Sequence, residues 1–157
     1  MRAGVVALAV VALDQLTKCW VRHALPHEMT RDVIPGLFAL THRLNPGVAF
    51  SMFHSVKAAP VIFSIISAAA IAFIAWLLKR HPALPLKLVI AFGMVAGGAA
   101  GNLVDRILPP HRVVDFLDFY IGTRHWPAFN IADTAICIAA GLLILASFTD
   151  PRAFDKA

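Results

Sequence analysis

Four apolar stretches, 3–21, 59–78, 86–104 and 129–148, make up about half of this 157-residue chain. Each matches the roughly 20 helical residues needed to cross a hydrocarbon core about 30 Å thick. Four membrane-spanning helices follow. The balance of the whole chain agrees, with 59% hydrophobic residues and 15% charged, far from the mix of a soluble globular domain. The connections leave no room for a separate soluble unit, so 1–157 reads as one integral membrane domain.

Met1-Arg2 before an apolar run has the outline of a secretory signal. The apolar pattern resumes beyond Asp14-Gln15 to Trp20-Val21, however, long enough to span, so the segment is expected to remain as a span. Cys19 and Cys137 fall inside spans, where they read as small core residues and not as a disulfide framework. A net charge of +5 raises the possibility of nucleic acid, but no basic patch interleaved with aromatics occurs. The basic residues are better explained by topology and anionic headgroups.

Lys79, Arg80 and Lys87 crowd the short link between spans two and three, Arg2 precedes span one, and Arg152 and Lys156 follow span four. The positive-inside rule places these segments, and both termini, in the cytoplasm. The longer connections 23–58 and 106–127 then lie outside. In that orientation Asp14 and Lys18 sit in the outer half of span one. Asn102, Asp105 and Arg106 end span three at the outer face, and Asn130 and Asp133 begin span four there. Span two carries no charge and reads as scaffold.

Gly93, Gly97 and Gly101 recur every four residues in span three, a small-residue ridge suited to close helix contact. In the first outer connection Pro35-Gly36 fits the centre of a type II turn. The run Leu37-Phe38-Ala39-Leu40-Thr41 after it is β-like, and the apolar residues 48–53 form an outer hairpin able to meet headgroups or an extended peptide.

Asp14 and Lys18, one helical turn apart, read as a structural ion pair. Asp105 and Arg106 likewise look structural, Arg106 either anchoring at the headgroups or bracing a carboxylate. Asp115, between Val113-Val114 and Phe116, is expected in an extended loop among apolar neighbours. Asn130 taken singly is a candidate N-cap, and Asp133 taken singly a favourable charge at a helix start. As a pair at one membrane face, Asp115 and Asp133 suggest more. Two carboxyls brought together in a partly desolvated site share a proton, one activating water while its partner acts as acid. The seven histidines all fall in connections with no H-E-x-x-H, and neither a nucleophile elbow nor a phosphate-cradling glycine motif occurs.

Five blocks, taken in order, carry a resemblance. They are Asp14-Gln15-Leu16-Thr17-Lys18, Asn45-Pro46-Gly47-Val48-Ala49-Phe50, Gly101-Asn102-Leu103-Val104-Asp105-Arg106, Val113-Val114-Asp115-Phe116 and Phe129-Asn130-Ile131-Ala132-Asp133. On these the chain resembles the bacterial lipoprotein signal peptidases, or signal peptidase II family, which are membrane aspartic endopeptidases. The resemblance implies an all-α membrane protein, a four-helix bundle with a small extracytoplasmic β-cradle and a short interfacial helix, seated as a monomer in the bacterial cytoplasmic (inner) membrane. It implies a diacylglyceryl-prolipoprotein substrate held at the lipid interface, cut before the lipidated cysteine, with no metal, organic cofactor or nucleic acid involved. It places the catalytic dyad on Asp115 and Asp133, and the supporting residues on Asp14, Lys18, Asn45, Gly47, Asn102, Arg106 and Asn130. Pro109-Pro110-His111 departs from the family by standing where a glycine-containing turn is expected. Val48, where Ala is common, is a milder change.

Two rivals share these features. A proton-coupled carrier would spread ionisable groups over several depths, and a scaffold could hold a lipidated partner without chemistry.

Overall fold

The computed structural model describes residues 1–46 and 59–150. Gly47 and the outer hairpin 48–53 lie outside the described residues. Four helices, α1 (Arg2–Ala24), α2 (Ala59–Arg80), α3 (Leu86–Ile107) and α4 (Ile131–Thr149), are each long and apolar enough to cross a membrane. α1 and α3 run about a turn beyond the apolar stretches that forecast them, because Arg22, His23, Asp105 and Arg106 continue the helix. His23 therefore belongs to the last turn of α1 and not to a connection.

Four strands, β1 (Thr30–Ile34), β2 (Phe38–Asn45), β3 (Val113–Ile121) and β4 (Arg124–His125), form an antiparallel sheet in sequence order. The expected turn joins the first two. Gly36 takes φ +83° and Leu37 N–H donates to Ile34 O at 3.0 Å, the left-handed centre that glycine supplies at least cost. Asp115 lies within β3, not in a loop, paired in register with Arg43. His111 adopts φ +63° in the departing Pro-Pro-His link, the backbone shape a glycine would take there. Among the described residues no short interfacial helix occurs.

α3 is the central helix, packed on α1, α2 and α4. Its glycine ridge makes this possible. A Cβ on Gly97 would stand 2.7 Å from Ala7 O and 2.8 Å from Val10 Cβ, and one on Gly101 would stand 2.6 Å from Asp14 Oδ2. The ridge thus brings two backbones together and, at Gly101, clears space for a buried carboxylate.

The burial pattern is the inverse of a soluble protein's. Leu8, Leu16, Ile65, Phe73 and Ile144 are exposed, while Asp14, Lys18, Asn102 and Asn130 are buried, as expected where lipid is the solvent. Cys19 and Cys137 are free and exposed, so they lie on outward helix faces, not in the core. Where α1 meets the sheet, Val21, Leu25, Val114 and Phe116 form an apolar cluster. It fixes β3 against the end of α1 and sets the depth of Asp115.

Candidate active site

α4 begins with a reciprocal cap. Asn130 Oδ1 accepts from Asp133 N at 3.1 Å, and Asp133 Oδ2 accepts from Asn130 N at 3.3 Å. Both readings made of these residues singly are therefore correct, and such a cap contributes about 1 kcal/mol. The same two residues do more. Asn130, wholly buried, turns its amide toward Asp115 and donates to Oδ1 at 2.7 Å. One residue thus touches both aspartates, joining β3 to the first turn of α4.

The remaining carboxylate oxygens are also held by amides. Asn45 Nδ2 donates to Asp115 Oδ2 at 2.9 Å, and Asn102 Nδ2 donates to Asp133 Oδ1 at 2.8 Å. Asn102 has its orientation set from behind. Its Oδ1 accepts from Lys18 Nζ at 2.9 Å and from Asn130 Nδ2 at 3.2 Å. An ammonium can only donate, so the Asn102 oxygen must face Lys18 and its NH₂ must face Asp133.

Lys18, itself fully buried, pairs with Asp14 at 2.8 Å and with Asp105 at 2.8 Å. Asp105 also pairs with Arg22 at 2.6 Å and accepts from Val114 N at 3.3 Å. Asp14 Oδ1 accepts from Ala132 N at 3.0 Å, and Gln15 Nε2 donates to Gly101 O at 3.0 Å. This ionic hub binds α1, α3, α4 and β3 at one level. Its carboxylate Asp105 grips the residue just before Asp115. Arg106 donates from Nη1 to Asn102 O at 3.2 Å and lies over the Phe63 ring, 5.5 Å from its centroid. Its buried Nε has no hydrogen-bond partner among the described residues.

Of the residues singled out from sequence, Asp115, Asp133, Asn45, Asn102 and Asn130 form one hydrogen-bonded cluster. Lys18 and Arg106 back it through Asn102, and Asp14 acts one step further away, in the hub. Gly47 lies outside the described residues. Arg22 and Gln15 were not anticipated, and Asp105 has a larger part than its structural reading suggested. A signal existed: Asp14, Lys18 and Arg22 recur every four residues and so share one helix face. A separate buried carboxylate, Asp118, meets His125 Nδ1 at 3.0 Å in the sheet. It was also missed.

Asp115 is 3% exposed. Desolvation pushes its carboxyl up to about 7, the Asn45 amide opposes the rise by donating, and the nearby Asp133 charge adds to it. Such a group exchanges its proton near neutrality. A second carboxylate, Asp133, is fixed by the same asparagine, an arrangement suited to acid/base chemistry.

The family model described as signal peptidase (SPase) II matches residues 6–149. A lipoprotein signal peptidase of Maridesulfovibrio salexigens is 40% identical over 148 residues, spanning 93% of this chain and 94% of that one. One of Desulforapulum autotrophicum is 44% identical over 142 residues, 88% of this chain and 86% of that one. A solved bacterial membrane enzyme structure superposes with a TM-score of 0.83 at 29% identity, covering 95% of this chain and 88% of the other. With Asn45, Asn102, Asp115, Asn130 and Asp133 joined in one hydrogen-bonded cluster at the sheet end of a four-helix bundle, the chain belongs to the signal peptidase II family.

Proposed function

We propose that this protein is a membrane aspartic endopeptidase that removes the signal peptide from diacylglyceryl-modified prolipoproteins, cutting the amide bond before the lipidated cysteine. The observation that carries this reading is the double contact of Asn130, which holds Asp115 and Asp133 in one site while Asn45 and Asn102 orient their outer oxygens.

Asp115, poised to titrate near pH 7, holds the shared proton. Asp133, accepting at both oxygens, is the base. Asp133 takes a proton from water as the oxygen attacks the scissile carbonyl carbon, and Asp115 gives its proton to the carbonyl oxygen. The resulting gem-diol collapses as Asp133 returns the proton to the leaving nitrogen and the C–N bond breaks. Asp115 recovers its proton from the gem-diol hydroxyl, so atoms and charge balance over one cycle. No metal or organic cofactor enters the scheme.

The sheet end faces outward in this reading, with both termini cytoplasmic and the protein a monomer in the bacterial inner membrane. A lipid-modified cysteine keeps its acyl chains in the outer leaflet, which brings the bond to the level where α1 and α3 end. The test replaces Asp115 and Asp133 singly by Asn and follows cleavage of a diacylglyceryl prolipoprotein in detergent. Turnover is expected to fall by about 10³-fold for each. Near-normal turnover by either variant rejects the dyad.

A further inference from the structure

Apart from the hydrogen-bonded aspartate cluster, the sheet end holds a cavity of about 420 Å³, lined by His27, Glu28, Arg43, Leu44 and Arg112. None of these residues has a part in the proteolytic scheme. Among the described residues neither Arg43 nor Arg112 forms an ion pair. That separates them from Lys18 and Arg22, whose charges are matched by Asp14 and Asp105. Its histidine aside, two guanidiniums and the Glu28 carboxylate leave the lining with a surplus of one positive charge. That surplus matches a singly charged anion.

Depth narrows the anion's source. His27 follows the end of α1 by three residues and Arg112 follows the end of α3 by five, so the cavity opens where two spans leave the hydrocarbon. Exposed apolar side chains stand next to it in the chain: Met29 beside Glu28, and Ile107 and Leu108 at the end of α3. Acyl chains lie alongside such a surface while a headgroup lies in the charged recess. Guanidinium forks suit phosphodiester oxygens, donating two parallel hydrogen bonds each.

We propose that this cavity binds the phosphodiester headgroup of an anionic phospholipid, with Arg43 and Arg112 as the clamping residues. The site is separate from the proteolytic reading and stands or falls without it. The surplus of one charge favours a phosphodiester over a doubly charged phosphate monoester. It also disfavours choline headgroups, whose ammonium brings a like charge to the two guanidiniums.

The experiment is native mass spectrometry of the full chain, released from detergent containing equal amounts of phosphatidylglycerol and phosphatidylcholine. The wild type is expected to retain phosphatidylglycerol selectively. R43Q/R112Q is expected to retain it about tenfold less, the effect of losing charge-assisted hydrogen bonds. R31Q/R124Q removes the same charge from sheet residues outside the cavity and is expected to match the wild type. R43K/R112K keeps the charge without the forks, is expected to fall in between, and serves as the readout should R43Q/R112Q fail to fold.

Equal retention of the two lipids by the wild type overturns the proposal. So does an equal loss in R43Q/R112Q and R31Q/R124Q, which is general surface attraction, or wild-type retention in R43K/R112K. Complete displacement of phosphatidylglycerol by inorganic phosphate at equal concentration assigns the cavity to free anions instead and overturns the lipid.

Discussion

Two pairs of carboxylates meet near the end of α3, and they are held in opposite ways. In the hub, Asp14 and Asp105 meet the full charges of Lys18 and Arg22 at 2.6 to 2.8 Å. In the dyad, Asp115 and Asp133 meet amides: Asn45, Asn102 and both the side chain and backbone N–H of Asn130. A cation matches a carboxylate's charge directly and, at Asp105, ties it to a neighbouring helix. An amide orients it and leaves the charge unmatched, so that desolvation can lift the Asp115 carboxyl to about 7. The hub thus ties elements together, and the amide-held pair suits the proton transfer proposed for it. Asn102 is the joint, held by Lys18 on one side and facing Asp133 on the other.

The comparison can be broken at several points. After the dyad substitutions themselves, the largest expected effect is from Asp105→Asn. Lys18 and Arg22 then share one carboxylate fewer in a buried site, and Val114 N loses a charged acceptor. Breaking a buried pair of this kind costs about 3 kcal/mol. A thermal melt in detergent should show the fall, with turnover declining as β3 loosens. Unchanged stability would mean that the hub is not what holds the site together.

Asn102→Ala severs the joint and leaves each Asp in place. Loss of the donor to Asp133, with Lys18 left one acceptor short, is worth about 1–3 kcal/mol, or roughly 10- to 100-fold in turnover. KM should change little, because the loss falls on the base and not on substrate contacts. A change confined to KM would place Asn102 in binding instead.

The pH dependence sharpens the contrast. Asp115 is raised from 3.8 to about 7 in the fold, so between those values the folded protein binds more protons than the unfolded chain. Its contribution to stability is fully present below about pH 4, is lost as pH rises toward 7, and is constant above that. Turnover should also decline on the alkaline side of about 7, as the shared proton leaves. Asp115→Asn should flatten the stability slope across this window. The measurement is denaturation at a series of pH values.

The smallest effect concerns the glycine ridge. Gly97→Ala forces a methyl against Ala7 O and Val10 Cβ and is expected to cost about 1–3 kcal/mol through overpacking. At Gly141 an added methyl would meet none of the described residues within 4 Å, so Gly141→Ala should be accepted without loss. Equal melting temperatures for the two variants would show that α1 and α3 can slide apart cheaply.

Much of this architecture was legible before any coordinates. Long apolar runs predict helices reliably because lipid leaves the backbone no other local solution for its hydrogen bonds. β1 was not foreseen: all five residues of Thr30–Ile34 are exposed, so no alternation of buried and exposed side chains marks the strand. Asp115 was expected in a loop because its strand owes its pairing to β2, about 70 residues earlier in sequence. The cysteines were misjudged because an exposed face and a core face read alike when the solvent is itself apolar.

Sequence by itself determined the number of spans, the gathering of polar residues at one membrane level, the close-packing ridge on α3 and the motif blocks of the family. Hydropathy, spacing and residue type are local properties, and they carry those conclusions. Tertiary structure decided which amide serves which carboxylate, which way Asn102 is turned, and that Asp105 secures the strand bearing Asp115. Those choices depend on partners brought together from α1, α3, β3 and α4. Burial and charge pairing at such a meeting point exist only once the helices have packed.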